Sequence, residues 1–444
     1  MKEQIKLSDH FSYRRLIRFA IPSVAMMIFT SIYGVVDGVF VSNFVGKTSL
    51  AAVNFIYPFV MILGTLGFMF GAGGSALVSK TMGEGDGRRA NSLFSLFVYV
   101  PFLGGILLAV LGILIVRPVA AMLGAEGAML EDCVVYARIL LAVLPAFMLQ
   151  LEFQTFFVTA EKPKLGLAFT IGAGVTNMVL DALFVAILRW GLVGAAVATA
   201  LSQAVGGFGP IIYFACRNSS LLRLGQTKLD IGALFKAMGN GSSELMSNVS
   251  MSLVGMLYNV QLMSYAGEDG VAAYGVLMYV NFIFVSAFIG YTIGMSPIVG
   301  YHYGAGNVGE LRSLRRKSLW IVLISSVAML LAGLLLAYPL SRLFVGYDAG
   351  LLAMTVRGFY IFSFSFLFAG LAIFGSAFFT ALNNGLISAV MSFLRTLVFQ
   401  IAAVILLPLV LGLDGIWLSV VVAELAAAAV SVLFLALMRK RYQY

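Results

Sequence analysis

Runs of about 20 apolar residues recur from one end of this chain to the other, and no other feature restricts its fold as much. A helix of that length crosses the roughly 30 Å of hydrocarbon in a bilayer. Strands of a membrane barrel would be about half as long and would alternate in polarity, which these runs do not. Spans are expected at 14–40, 52–78, 91–116, 132–158, 165–188, 192–216, 233–262, 273–300, 317–341, 353–380, 386–408 and 414–438. Of the 444 residues 61% are hydrophobic and 11% are charged, whereas soluble domains carry about 25% charged residues. The expected fold is therefore an all-α polytopic membrane protein of twelve transmembrane helices.

The net charge of +9 invites a nucleic-acid reading, but the basic residues stand at the ends of the apolar runs. Lys2, Lys6, Arg14, Arg15, Arg18, Lys80, Arg88, Arg89, Lys162, Lys164, Arg217, Arg223, Lys228, Lys236, Arg312, Arg315, Arg316, Lys317, Arg439, Lys440 and Arg441 fall on the termini and even-numbered connections. The odd side holds only Lys47, Arg117, Arg138, Arg189, Arg342 and Arg357. Such an imbalance orients both termini toward the cytoplasm of a prokaryotic plasma membrane. The polar start, MKEQIKLSDHFSYRR, has no signal-cleavage pattern, so the first span is expected to remain as an anchor.

Enzyme chemistry finds little support. Cys133 and Cys216 form no disulfide framework, and His10 and His302 lie in expected terminal or loop segments, away from any nucleophile–base or metal-ligand spacing. Gly71 to Lys80 (GAGGSALVSK) is glycine-rich but fails the phosphate-loop spacing, which argues against transport driven by ATP in this chain alone. No cofactor is expected, and a membrane-embedded enzyme is a distant alternative.

An internal repeat organises the chain. One offset of 221 pairs Gly46 with Gly267, Ala51-Ala52 with Ala272-Ala273, Gly73 with Gly294, Ser75 with Ser296, Gly83 with Gly304 and Gly85 with Gly306. It continues through Thr159-Ala160 with Thr380-Ala381, Gly191 with Gly412 and Gly194 with Gly415. Six helices per copy preserve orientation, so two lobes, 1–222 and 223–444, are expected about an axis along the membrane normal with a central cleft between them. The polar stretch 217–236 is the inter-lobe linker.

Within the spans, polar side chains break the repeat. Asp37 lies in the first span, IPSVAMMIFTSIYGVVDGVFVSNFVG, and the offset maps it to Tyr258; Asn177, Asp181 and Glu152 map to Val398, Ala402 and Ile373. A carboxylate at bilayer depth costs about 2.5 to 3.5 kcal/mol and marks an ion or substrate path by default. Asn177 and Asp181, four residues apart, share a helix face. With Tyr33 one turn from Asp37 and Thr199 on the sixth span, they would form an oxygen-rich pocket able to hold a proton or a hard cation such as Na⁺. Glu152, Gln154, Glu244 and Glu424 are further coupling or cavity candidates, and Arg395 is expected to pair with Glu244 or Glu424. Phe, Met and Tyr along the spans suit a wall for lipophilic cations.

The chain resembles a multidrug and toxic compound extrusion (MATE) transporter, a family grouped with lipid and polysaccharide flippases. The resemblance rests on the two-by-six layout, Pro22 fifteen residues before Asp37, VDGVFVSNFVG, FFVTAEKPKLGL, and NMVLDALF followed by WGLVGAAVATALSQ. It implies efflux of lipophilic, mostly cationic compounds by antiport with H⁺ or Na⁺. It further implies that Tyr33, Asp37, Asn177, Asp181 and Thr199 form the first-lobe cation site of archaeal-type members, and that the first helix bends at Pro22. The expected assembly is a monomer contacting membrane lipid and small molecules, with no nucleic acid. A flippase or exporter of a lipid-linked or zwitterionic substrate on the same fold is the alternative.

Overall fold

The computed structural model describes residues 5–45 and 47–444; Lys2 and Gly46 lie outside the described residues, as do several side chains between Val35 and Ala51, Lys47 and Ala51 among them. Helices α1 (Tyr13–Phe44), α2 (Lys47–Gly83) and α3 (Gly87–Leu123) are the first three spans. The fourth is bent by 60° between α4 (Gly127–Ala142) and α5 (Leu144–Thr159). Helix α6 (Pro163–Asp181) runs on into a π-helical turn, Ala182–Ile187, and α7 (Gly191–Ala215) is the sixth span.

Helix α8 (Ile231–Gly304) is 74 residues long, several times what a bilayer needs, and its backbone leaves helical geometry at Gly267, with φ 63° and ψ −151°. That glycine divides it into the seventh and eighth spans. Helix α9 (Val308–Val345) follows, then α10 (Ala349–Ser363) and α11 (Ser365–Ala381), bent by 45° as one crossing. Helix α12 (Gly385–Phe393) passes through a π-helical turn, Leu394–Val398, into α13 (Phe399–Leu411). Helix α14 (Leu413–Leu437) is the twelfth span and α15 (Arg439–Tyr442) a terminal turn. The chain is an all-α, multi-pass membrane protein of two pseudo-symmetric six-helix lobes.

The backbone repeats with the sequence. The break at Val143 between α4 and α5 has its counterpart at Phe364, 221 residues on. Gly191 and Gly412 both take φ 59°, and Gly85 and Gly306 take 87° and 66°. Each is a left-handed position that glycine occupies without steric penalty, so paired glycines encode paired turns. In the first span, α1 continues through the buried Pro22 as one helix. The ring supplies no N–H for the Arg18 carbonyl, a local weakness in an otherwise continuous ladder.

The lobes meet backbone to backbone on the side that carries both termini. A Cβ at Gly83 would collide with the Tyr301 carbonyl, and one at Gly304 with the Lys80 carbonyl. Both glycines and both carbonyls are mates in the 221 repeat, so the contact is self-complementary, as at a two-fold axis. Gly73 likewise meets Ala237 in α8, and its mate Gly294 meets Ala20 in α1. Small residues allow this approach, and in lipid the gain is van der Waals packing rather than hydrophobic burial.

A strap crosses the same side. The Leu7 N–H donates to Glu161 Oε1 in the first lobe at 2.6 Å, and the Phe11 N–H to Glu310 Oε1 in the second at 2.9 Å. His10 Nδ1 lies 2.6 Å from Glu310 Oε2, and the Lys317 ammonium donates to the Phe11 carbonyl. Leu7 and Phe11 are fully buried, and the Phe11 ring sits edge-on to Phe19 and His302. Residues 5–12 therefore tie the lobes together as they stand.

Burial pushes the Glu161 carboxyl up from its ordinary value, while the strap's own Leu7 N–H and Lys6 ammonium draw it down. Amide exchange at Leu7, corrected for intrinsic rate, should speed up in Glu161→Ala, which removes the carboxylate that accepts its N–H. Separately, Gly304→Leu should separate the lobes on the terminus side, because overpacking costs about 1–3 kcal/mol and only this arrangement suffers the clash. Distance measurements between spin labels on the two lobes would read a population shift of about tenfold or more.

Candidate functional site

Three helices of the first lobe bring the predicted site residues together. Helix α1 contributes Tyr33 and Asp37, one turn apart. It approaches α6 closely because position 174 is glycine: a Cβ there would lie 2.5 Å from the Phe29 ring and 3.1 Å from that of Tyr33. Helix α6 presents Asn177 and, at its last α-helical residue, Asp181, where the π-helical turn begins. Such turns are rare and concentrate at functional sites, since the extra residue re-aims the side chains around it. Helix α7 supplies Thr199, whose Oγ1 accepts from Asn177 Nδ2 at 3.5 Å.

The Asp37 carboxyl has the polar ends of Asp181, Asn177 and Thr199 as its neighbours. Asn177 and Asp181 are 2% and 0% exposed. Among the described residues, Asp37 Oδ1, Asn177 Oδ1 and both Asp181 oxygens are buried with no donor to satisfy them. Two carboxylates that face one another offer only acceptors. One of them must carry a proton, or a cation must lie between them. A cluster of amide, hydroxyl and carboxylate oxygens is the donor set of a hard cation, and the same atoms fit a proton shared by the pair. Among the described residues, no group of three or more His, Cys, Asp or Glu side chains converges as a metal centre would require.

The structure adds residues that the sequence pattern did not single out. Gln150 of α5 lies beside Tyr33, and Tyr57 of α2 and Tyr136 of α4 lie close enough to interact electrostatically with Asp37. Gln203 of α7 is 5% exposed, with its carbonyl oxygen unsatisfied. None of these carries a charge, so the intramembrane-carboxylate signal passes over them. Each sits among many similar tyrosines and glutamines in apolar runs, and only packing selects it.

The other candidates lie elsewhere. Gln154 lines a narrow cleft with Gln150, Phe153, Thr170 and Gly206. Glu152 is 0% exposed, both its oxygens lack partners among the described residues, and its backbone lies against α2 where Gly71 leaves room. In the second lobe Arg395 Nε donates to Glu424 at 2.9 and 3.2 Å, while among the described residues Glu244 makes no ion pair within 4.0 Å.

Replacing Glu152 by Gln removes a desolvated carboxyl and keeps its shape. An unsatisfied buried polar group costs about 1–3 kcal/mol, more when charged. Glu152→Gln should raise the thermal unfolding midpoint of the purified protein; a lower midpoint would mean that the carboxyl has a stabilising partner.

Comparison with known proteins bears on the whole chain. The MatE family model matches residues 22–183 and, again, residues 245–406. The multidrug export protein MepA of Staphylococcus saprophyticus is 23% identical over 438 residues, covering 97% of this chain and 94% of that protein. A MATE transporter crystallised in complex with MaL6 superimposes with a TM-score of 0.94 at 22% identity, over 100% of both chains. An outward-facing multidrug resistance MATE transporter of the MOP superfamily gives 0.93 at 22% identity, over 100% of this chain and 99% of that one. With one family model matching each half and together most of its length, this chain belongs to the MatE family.

Proposed function

We propose that this protein is a secondary active exporter that moves lipophilic, mostly cationic compounds outward in exchange for inward H⁺ or Na⁺. The observation that carries the reading is the facing pair Asp37–Asp181, buried in one lobe with unsatisfied oxygens. Relatives named as multidrug export proteins point the same way. In this reading the protein is a transporter rather than an enzyme, works as a monomer in a prokaryotic plasma membrane, keeps both termini in the cytoplasm, and divides into lobes 1–222 and 223–444.

Asp37 and Asp181 bind the coupling ion from the outer side, with Tyr33, Asn177 and Thr199 completing the oxygen shell. Loading neutralises the pair and removes the repulsion between carboxylates one helix apart, which alters how α1 packs on α6. Pro22 offers α1 a point to bend, and the Gly83–Gly304 contact is the seam that must open for the cleft to face the cytoplasm. The substrate then leaves outward and the ion inward, by rocking of the two lobes about a site that stays in place.

The membrane potential limits the stoichiometry. Moving one charge through 100 mV is worth about 2.3 kcal/mol, so exchange of one H⁺ for one monovalent cation draws nothing from voltage. Two coupling ions per cycle would draw on it, and two carboxylates provide for that. A flippase of lipid-linked substrates has weaker support, because Arg395, the one cation deep in an expected span, is already engaged by Glu424.

The test is efflux of a fluorescent lipophilic cation from proteoliposomes under imposed H⁺ or Na⁺ gradients. Asp37→Asn should reduce gradient-driven efflux by about tenfold or more while leaving folding and insertion unchanged. Normal efflux in that variant would remove the site from the mechanism. Absence of efflux from the unmodified protein under either gradient would remove antiport of such cations.

A further inference from the structure

Six cations gather where α9 begins and the terminal turn α15 docks against the second lobe: Arg312, Arg315, Arg316, Arg439, Lys440 and Arg441. Among the described residues none of them makes an ion pair within 4.0 Å. Three are nonetheless held in place. Arg312 Nε donates to the Gln443 carbonyl at 2.8 Å, the Arg315 guanidinium lies 5.1 Å over the Tyr444 ring, and that of Arg441 lies 5.7 Å over Tyr442. The two rings stack, 6.2 Å between centroids and 11° apart. Both are anchored in turn: Tyr442 Oη accepts from Asn384 at 2.7 Å, and Tyr444, 1% exposed, donates to the Leu435 carbonyl at 3.2 Å. The guanidiniums are thus fixed through neutral partners that leave their charge uncompensated, and the buried Nε of Arg315 has no acceptor among the described residues.

The repeat shows that the fold does not require this charge. The offset of 221 maps Arg312, Arg315 and Arg316 onto Asn91, Phe94 and Ser95, and Arg439, Lys440 and Arg441 onto Asn218, Ser219 and Ser220. The first lobe docks its equivalent segment through the neutral Asn91, which donates to the Leu221 carbonyl at 3.4 Å and accepts from the Arg223 N–H at 2.8 Å. A bias of cations toward one side of the membrane accounts for cations on this side, but not for three guanidiniums ordered about one spot in one lobe.

Beside the cluster the surface is apolar. Arg312, Arg316 and Trp320 follow one another by one turn on an exposed face of α9, and Leu323 and Ile324 continue it. On α14, Leu433 and Leu437 are 54% and 61% exposed just before Arg439. Both helices pack on α11. In a multi-pass membrane protein such faces lie against acyl chains, and an indole so placed marks the level of the headgroups. An anion from solution would use the charge alone, whereas a phospholipid uses the charge and the apolar faces together.

We infer that the base of α9 and the terminal turn form a binding site for an anionic phospholipid of the leaflet on the terminus side. The terminal amino groups of Arg312, Arg316 and Arg441 take its phosphate, and its acyl chains lie along α9 and α14. Basic clusters at helix ends recognise anionic headgroups by charge, and guanidiniums add paired N–H donors to phosphate oxygens. The site faces outward from the lobe, so the lipid is a resident ligand rather than cargo, and its binding is independent of the export reading. Tyr442 also lies 5.7 Å from Tyr303 of α8, and Lys80 of the first lobe lies 5.6 Å over that ring, so the turn that the lipid grips abuts the seam between the lobes.

Native mass spectrometry of the purified full chain compares phosphatidylglycerol with phosphatidylcholine of the same acyl chains, and the ratio of the two affinities is the readout. Arg312→Asn with Arg316→Ser installs the residues of the repeat mates and should lower that ratio about tenfold or more, since each cation at the surface adds to anionic-lipid binding. Arg439→Asn with Arg441→Ser should do the same, and either pair decides the matter if the other fails to fold. Arg88→Gln with Arg89→Gln removes equal charge from the first lobe and should change the ratio less than about twofold, as screened charge at a distance does. An unchanged ratio in a folded site variant, or an equal fall in the Arg88 and Arg89 variant, would overturn the site. Inorganic phosphate in large excess should leave the lipid bound; displacement by it would mean that the acyl chains play no part, and would overturn the assignment to a lipid.

Discussion

The structure depends on the approach of two helix backbones, α2 and α8, at paired glycines on the terminus side. Gly83 and Gly304 each lie against the carbonyl that belongs to the other's repeat mate, so one contact serves both lobes. Lipid gives no hydrophobic drive for helices to associate, and close van der Waals contact has to supply it. Side chains also cross this seam, with Lys80 over the Tyr303 ring and Asn383 Nδ2 donating to the Ala76 carbonyl. The Leu7–Phe11 strap adds directional hydrogen bonds across that seam, anchored on buried acids of opposite lobes. Closure on this side is thus distributed between a nonspecific close fit and a few polar latches.

Against this symmetric frame the ionised groups are asymmetric. The first lobe gathers two carboxylates among neutral polar side chains, a donor set whose chemistry suits a proton or a small cation. The second lobe balances Arg395 against Glu424 and keeps Glu244 apart. Repeat mates of Asp37 and Asp181 are Tyr258 and Ala402, so neither site is a copy of the other. The frame is two-fold and the placement of its charged side chains is not.

The local consequences of composition were legible early. Twelve spans, the 221 repeat and the Asn177–Asp181 pair on one helix face all follow from spacing along the chain, because helix periodicity and bilayer thickness act on contiguous residues. Asp37, Asp181 and Asn177 stood out because an unneutralised polar group in hydrocarbon is expensive wherever it sits.

What remained open concerned partners distant in sequence. Arg395 had two acids within its lobe, and which one it engages depends on how α13 and α14 pack, a property no helix pattern contains. Tyr57, Tyr136 and Gln150 join the first-lobe site from three other helices through rotations about their axes, and one turn's shift would have sent each elsewhere. The break of α8 at Gly267, the bends at Val143 and Phe364 and the strap over both lobes are likewise products of packing. The sequence alone determined how many helices cross the membrane, how the halves correspond and which buried charges need explaining, because those are set by transfer energies of neighbouring residues. Only the tertiary structure decided which charges meet, because pairing energy depends on distances between helices that are far apart in the chain.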